Sequence, residues 1–357
     1  MTTGPYHALL LAILATLPAC AEEGTACLPV PEAMACPAAK DVDKDDLWGG
    51  GCSTIRRVIG EGERVEDIDN YSYDEEPTPG CCYPVKEVVQ NGCAVGRPMR
   101  VEQVSLSAIA VHGASWDTGL ALELNGLRPD LRAALVARWT RAALDEHASI
   151  AAFSRVALDL LRQGAPSELL EMAHGAALDE LRHARECFAI ASALAGQPVA
   201  PGRFPLAASV ALAPDLATVA AEAALDGCIG ETVSALLARE AAAVCSDPEI
   251  RAVLLGIADD EERHALLAWR TVAWALRTGG PEVRAALAAV FTTAAHDGVA
   301  IQDLGECDDT AALARVGLLD RAATHRCAAR TLRHVILPAA HALLASSHAP
   351  ATSELSA

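Results

Sequence analysis

Aromatic side chains are scarce, at 4% of the 357 residues, and basic ones are outnumbered, with 28 Lys and Arg against 47 Asp and Glu. A net charge of −19 repels polyphosphate, so nucleic acid is not expected as a partner. Most acidic groups, including the clusters at 41–46 and 74–76, read as a solvated surface, and an acidic face that concentrates cations is the alternative. No C-x-x-C pair occurs, which argues against a cysteine-held metal. After the opening residues no apolar run is long enough to cross a bilayer.

The opening residues are different. An apolar run from Ala8 to Leu17 leads into Pro18-Ala19-Cys20, which reads as a signal peptide over 1–19. Leu17-Pro18-Ala19-Cys20 also resembles a bacterial lipobox, with Cys20 the lipidated residue; an ordinary cut near Ala19 or Ala21 is the alternative. Either way the expected location is exported, in the cell envelope or periplasm, with a lipid anchor as the only membrane contact. Seven of the twelve cysteines fall in residues 1–128. With Cys20 set aside, Cys27, Cys36, Cys52, Cys81, Cys82 and Cys93 are an even set in an oxidising compartment, and disulfides are expected with connectivity open. A further pair, Cys307 with Cys327, is conceivable in the tail.

Composition divides the chain into a Cys-rich domain and linker over 20–128, a helical domain over 129–280, a helical extension over 281–347 and a disordered tail over 348–357. Between 101 and 127 the pattern suggests short strands or a linker. Four long helices are predicted at about 130–163, 167–195, 214–245 and 248–277, bounded by Gly, Pro, Ser or Asp. Asp247-Pro248 is the sharpest start and Gly279-Gly280 the sharpest stop. The proline-bearing connection from Gly196 to Pro214 is long enough to join two antiparallel helix pairs.

The strongest signal is a repeat. Asp179-Glu180-Leu181-Arg182-His183-Ala184 returns 81 residues later as Asp260-Glu261-Glu262-Arg263-His264-Ala265, with five of six positions alike. Glu and His three apart share a helix face. Around Glu261 that face carries Ile250, Leu254, Ile257, Ala265 and Ala268, so a carboxylate and an imidazole sit on a core stripe. A buried carboxylate is costly unless paired or bound to a cation. One helix earlier, Glu146 lies on the stripe Leu135, Trp139, Ala143, Ile150, Phe153 and Ala157, and Glu231 on a stripe of small residues that includes Ala224, Gly227 and Ser234. The separations of 34 and 30 residues to Glu180 and Glu261 suit antiparallel neighbours with facing side chains. Glu146, Glu180, His183, Glu231, Glu261 and His264 are therefore the candidate metal ligands: two divalent cations would cancel four carboxylates, with iron or manganese favoured and zinc possible.

This pattern resembles the ferritin-like di-metal carboxylate superfamily, which includes rubrerythrins, bacterioferritins and di-iron oxygenases, over about 130–277. The resemblance implies a mainly α fold, an antiparallel four-helix bundle with extra C-terminal helices, preceded here by a small disulfide-rich N-terminal domain. It implies two iron ions, with Asp179 and Asp260 orienting the histidines and Arg182 and Arg263 as their charge partners. Asp and Arg three apart are equally compatible with a surface helix pair. Dioxygen or peroxide would be the small partner and the electron donor is unknown, since no rubredoxin-like pair of C-x-x-C motifs is present. The expected activity is ferroxidase or peroxidase chemistry, so a di-iron oxidoreductase. The alternatives are an envelope lipoprotein that holds metal for stability, and a metal-delivery protein. His147 reads as a packing histidine, Cys187 and Cys228 as small core residues, and His174, His296, His325, His334 and His341 as structural or exposed.

Overall fold

The computed structural model describes residues 22–29, 35–36, 38, 54–58, 61, 63–65, 80–89 and 97–346, the last with short gaps at 102–103, 117, 121, 123–126, 207–209, 300 and 302–308. The segment 1–19, Cys20, Cys52, Cys93, Cys307, the acidic runs at 41–46 and 74–76 and the tail 348–357 lie outside the described residues. The chain separates into two compact units, one ending at Cys93 and one beginning at Ala94.

In the first unit, β4 (Gly80–Val89) is the central strand of an antiparallel sheet. It pairs on one side with β1 (Glu22–Pro29) and on the other with β2 (Thr54–Val58) and β3 (Glu63–Val65). A disulfide joins Cys36 to the buried Cys81 with the Cα atoms 5.7 Å apart. Closing a loop of 45 residues restricts the unfolded chain by about 4 kcal/mol in the loop-entropy picture. Cys27 stands opposite Cys82 in the β1–β4 register.

The second unit is mainly helical. Short strands β5 (Arg100–Val101), β6 (Val104–Ser105) and β7 (Ala110–His112) come first, and β7 pairs antiparallel with β8 (Val199–Pro201) from the long connection. The long helices are α1 (Pro129–Arg162), α2 (Ser167–Ala195), α3 (Leu216–Glu222) continuing through a π-helical segment (Ala223–Glu231) into α4 (Thr232–Val244), and α5 (Pro248–Thr278). Aspartates cap the starts of α3 and α5. Asp215 Oδ1 accepts from Thr218 N at 2.8 Å, and Asp247 Oδ1 accepts from Glu249 N and Ile250 N at 3.0 Å. Gly196 closes α2 at φ +70°, a left-handed position that suits glycine.

Helix α1 packs along α2, α5 packs along α4 and the π segment, and α2 also meets α5. Alanine dominates the seams: Ala143, Ala173, Ala184, Ala220, Ala224 and Ala258 are fully buried, which lets backbones approach closely. Phe153, Leu160, Leu267 and Leu287 fill the wider gaps. Further helices, α6 (Pro281–Asp297), α7 (Thr310–Arg315), α8 (Arg321–Thr331) and α9 (Leu337–Ser346), pack on this core, α6 against α3 and α8 against α4. Trp139 Nε1 donates to Val316 O at 3.1 Å and so ties α1 to the extension. Cys327 is a free, buried thiol, and Cys307, its suggested partner, lies outside the described residues.

Candidate metal centre

All six predicted ligands converge. Glu146 comes from α1, Glu180 and His183 from α2, Glu231 from the last position of the π segment, and Glu261 and His264 from α5. They form two overlapping groups, Glu146–Glu180–His183–Glu261 and Glu231–Glu261–His264, within each of which the ligand atoms lie within 4.8 Å of one another. His183 Nδ1 is 3.6 Å from Glu146 Oε2, 3.7 Å from Glu180 Oε2 and 3.7 Å from Glu261 Oε1. His264 Nδ1 is 3.2 Å from Glu180 Oε1 and 3.6 Å from Glu261 Oε2. Glu180 and Glu261 thus stand near both imidazoles, and Glu146 and Glu231 stand at the two ends. Five of the six are buried, while the Glu146 side chain is 21% exposed.

These donors are not spent on one another. Glu180 Oε2, Glu231 Oε1 and Oε2, Glu261 Oε2, His183 Nδ1 and His264 Nδ1 are buried without a hydrogen-bond partner. Leaving six such atoms unsatisfied in a core is costly, and a metal ion is the kind of group that accepts nitrogen and carboxylate oxygen together. The buried Glu and His groups could therefore hold a metal ion.

Protonation answers the same crowding. Burial pushes the Glu180 carboxyl up, aided by the Glu146 charge, and burial with the Glu261 charge pushes Glu231 well up. Burial alone would lower His183, but Glu146 and Glu180 outweigh it and raise it to about 10. His264 is likewise held well above its ordinary value, against burial, by Asp179, Glu180 and Glu261. In the metal-free protein the centre stores protons that a cation would displace.

The four outer residues are crossed between the two motifs. His183 Nε2 donates to Asp260 Oδ2 at 2.9 Å, and His264 Nε2 faces Asp179 Oδ2 at 3.4 Å. Each aspartate orients the histidine of the other copy, fixing a proton on Nε2 and leaving Nδ1 for the centre. Burial pushes Asp179 up, but bonds to His264 and Arg182 outweigh it, so the carboxyl is held well below its ordinary range. Arg182 and Arg263 each reach both aspartates: Arg182 Nη1 lies 3.1 Å from Asp179 and Arg263 Nη2 lies 3.3 Å from it, and both touch Asp260. The Asp–Arg contacts within each motif and the aspartate–histidine contacts between the motifs are thus both present.

Sequence reasoning missed the groups around Glu231. Arg97, 4% exposed, comes from the segment before β5, and its Nε lies 3.5 Å from Glu231 Oε1. Its guanidinium covers the Phe153 ring at 4.9 Å, and its carbonyl accepts from Ser149 Oγ at 2.9 Å. Three residues on, Arg100 pairs with the buried Asp226 of the π segment. A Cβ on Gly227 would sit 2.4 Å from Arg97 Nη2 and 2.2 Å from Ala268 Cβ, so only glycine clears this space. The small-residue stripe around Glu231 is what buries it completely. An arginine in a linker has no periodicity to betray it, and a π segment has no propensity signature.

The remaining candidates stay outside. His147 packs edge-on against Trp116 and Phe204 at centroid distances of 5.1 and 5.6 Å, and burial lowers its pKa. Cys187 and Cys228 are free, buried thiols that burial holds protonated. His174, His296, His325, His334 and His341 are exposed. No protein-family model matches the chain, and no curated protein or solved structure is significantly similar to it.

Proposed function

We propose that α1, α2, the α3–α4 helix and α5 form a ferritin-like four-helix bundle whose core holds a pair of iron ions, with manganese or zinc as substitutes. The observation that carries this reading is the set of buried, unpartnered carboxylate oxygens and imidazole Nδ1 atoms facing one another from α2, the α3–α4 helix and α5, joined by the part-exposed Glu146 of α1. Glu180 and Glu261 would be shared, and Glu146 and Glu231 terminal. His183 and His264 would supply one nitrogen on each side.

The activity is oxidation of ferroxidase or peroxidase type, in an exported protein that Cys20 anchors to a membrane by lipid. The iron pair, when bound, supplies two electrons to dioxygen or peroxide. This chain's residues supply the rest. Asp260 and Asp179 hold the imidazole protons on Nε2, so both Nδ1 atoms stay available. The carboxyls raised by burial take up and return protons as charge at the centre changes. Phe153 lies against His264 with ring centroids 4.9 Å apart and screens that side from water. The part-exposed Glu146 is the ligand that solvent and small oxidants reach first.

The test is to load the full chain with ferrous iron under argon, count iron per chain, and follow absorbance after adding peroxide or air. Two ions per chain that oxidise, with binding lost in Glu180→Ala and Glu261→Ala, support an oxidative centre. Binding without any response to oxidant leaves a protein that uses metal for stability. No binding ends the metal reading.

A further inference from the structure

The two ends of the centre are not equivalent. The Glu146 group offers four ligating side chains, and among the described residues no Lys or Arg pairs with its terminal carboxylate, whose basic neighbour is the ligand His183 at 3.6 Å. The Glu231 group gathers three within the same reach, with Glu180 shared from the first group through the 3.2 Å approach of its Oε1 to His264 Nδ1, and its terminal carboxylate already faces a buried guanidinium at 3.5 Å. Resting on the two-metal reading, we propose that Arg97 is a positioning residue that competes with metal for Glu231, so that the position built from Glu146, Glu180, His183 and Glu261 fills first and the Glu231 position second and more weakly.

The bay around Arg97 is built for that competition. Gly227 leaves room for the guanidinium, Phe153 supports its face, and Ser149 pins its carbonyl. Arg97 Nε and both Glu231 oxygens lack hydrogen bonds, so the pair is held by charge rather than locked by geometry. A buried charge pair can exchange partners when a stronger one arrives. On its other side Arg97 lines a narrow cleft of about 10 Å³ with Asp159, Glu222 and Thr271. Those two carboxylates already pair with Arg155, so the guanidinium stays beside the position that Glu231 would serve. A cation left beside a divalent ion weakens that ion's binding, and an affinity ratio of about tenfold or more between the positions follows.

The probe is manganese(II), added to the metal-free full chain and followed by bound-metal analysis and electron paramagnetic resonance. In the wild type the first equivalent gives the six-line signal of isolated ions, and the second binds more weakly and removes it through coupling. Arg97→Gln, which removes the cation and keeps a polar side chain of similar reach, brings the steps together, so that coupled pairs form at one equivalent. Arg97→Lys keeps the two steps. Glu231→Gln retains the first step and Glu146→Gln loses it, a comparison that stands even where Arg97→Gln does not fold by circular dichroism. Coupled pairs in the wild type at one equivalent, ordered filling that survives in folded Arg97→Gln, or a first step lost with Glu231→Gln overturns the proposal while the metal reading stands. A wild type that binds no manganese overturns both.

Discussion

The two copies of the Asp-Glu-x-Arg-His motif sit in unlike surroundings, although their own residues are nearly identical. Glu146, which serves the first copy, projects from a regular helix and keeps a fifth of its side chain in solvent. Glu231, which serves the second, ends a π-helical segment, is fully buried and faces Arg97. An internal repeat thus describes what the ligands share, and the neighbouring segments decide how each half behaves. Burial, extra helical width and a counter-cation fall together on one side, leaving the other open.

The crossed aspartates offer the sharpest way to break the near-symmetry. Replacing Asp260 by Asn leaves the His183 Nε2 contact without its acceptor charge, at a buried position with a 2.9 Å bond. Asp179→Asn does the same to His264, where the contact is 3.4 Å and the side chain 19% exposed. Loss of an orienting partner typically weakens metal binding by about 10–100-fold. The upper end is expected for Asp260→Asn and the lower for Asp179→Asn, read by competition with a chromophoric chelator. Equal losses would mean that burial does not differentiate the two halves.

Acid–base behaviour gives the next contrast, between metal-free and loaded protein. His183 rises from 6.5 to about 10 on folding, so the native state holds a proton that the unfolded chain releases between those values. A raised folded pKa contributes stability that is complete below 6.5 and is lost as pH climbs toward 10. The raised carboxyls of Glu180 and Glu231 act in the same direction, from the ordinary carboxylate range upward. The metal-free chain should therefore melt at a lower temperature at pH 9 than at pH 6. Metal binding displaces the same protons, so its affinity should rise over that interval. Glu146→Gln removes one of the charges that raise His183 and should flatten the metal-free profile; an unchanged profile would place the proton elsewhere.

Much of this site is legible in the sequence because ligand spacing and core periodicity share one geometry. Glu and His three apart on a stripe of Ile, Leu and Ala can only face inward together, and Asp247-Pro248 and Gly196 mark helix ends by local chemistry. What crosses between helices is not legible. The Asp179–His264 and Asp260–His183 pairs span 85 and 77 residues and depend on how α2 and α5 lie together. Arg97 lies in a stretch with no period at all, and the widened turn before Glu231 changes which small residues face inward without altering composition. The first unit shows the same limit: six cysteines leave connectivity open, and the Cys36–Cys81 bond becomes evident only with β4 in place.

The smallest expected effect concerns the parts of the motif that remain alike. Arg182 and Arg263 are 48% and 55% exposed, and each bridges the same two aspartates. An ion pair so open to water contributes little, because solvent screens it and ordering a long side chain opposes it. Arg182→Ala and Arg263→Ala should each lower stability by less than about 1 kcal/mol and by similar amounts in chemical denaturation. The double variant should cost more than the sum of the singles, since each arginine covers for the other at Asp179 and Asp260. A large and unequal pair of single effects would carry the asymmetry of the buried centre out to the surface, and the division between a shared rim and unlike ends would have to be withdrawn.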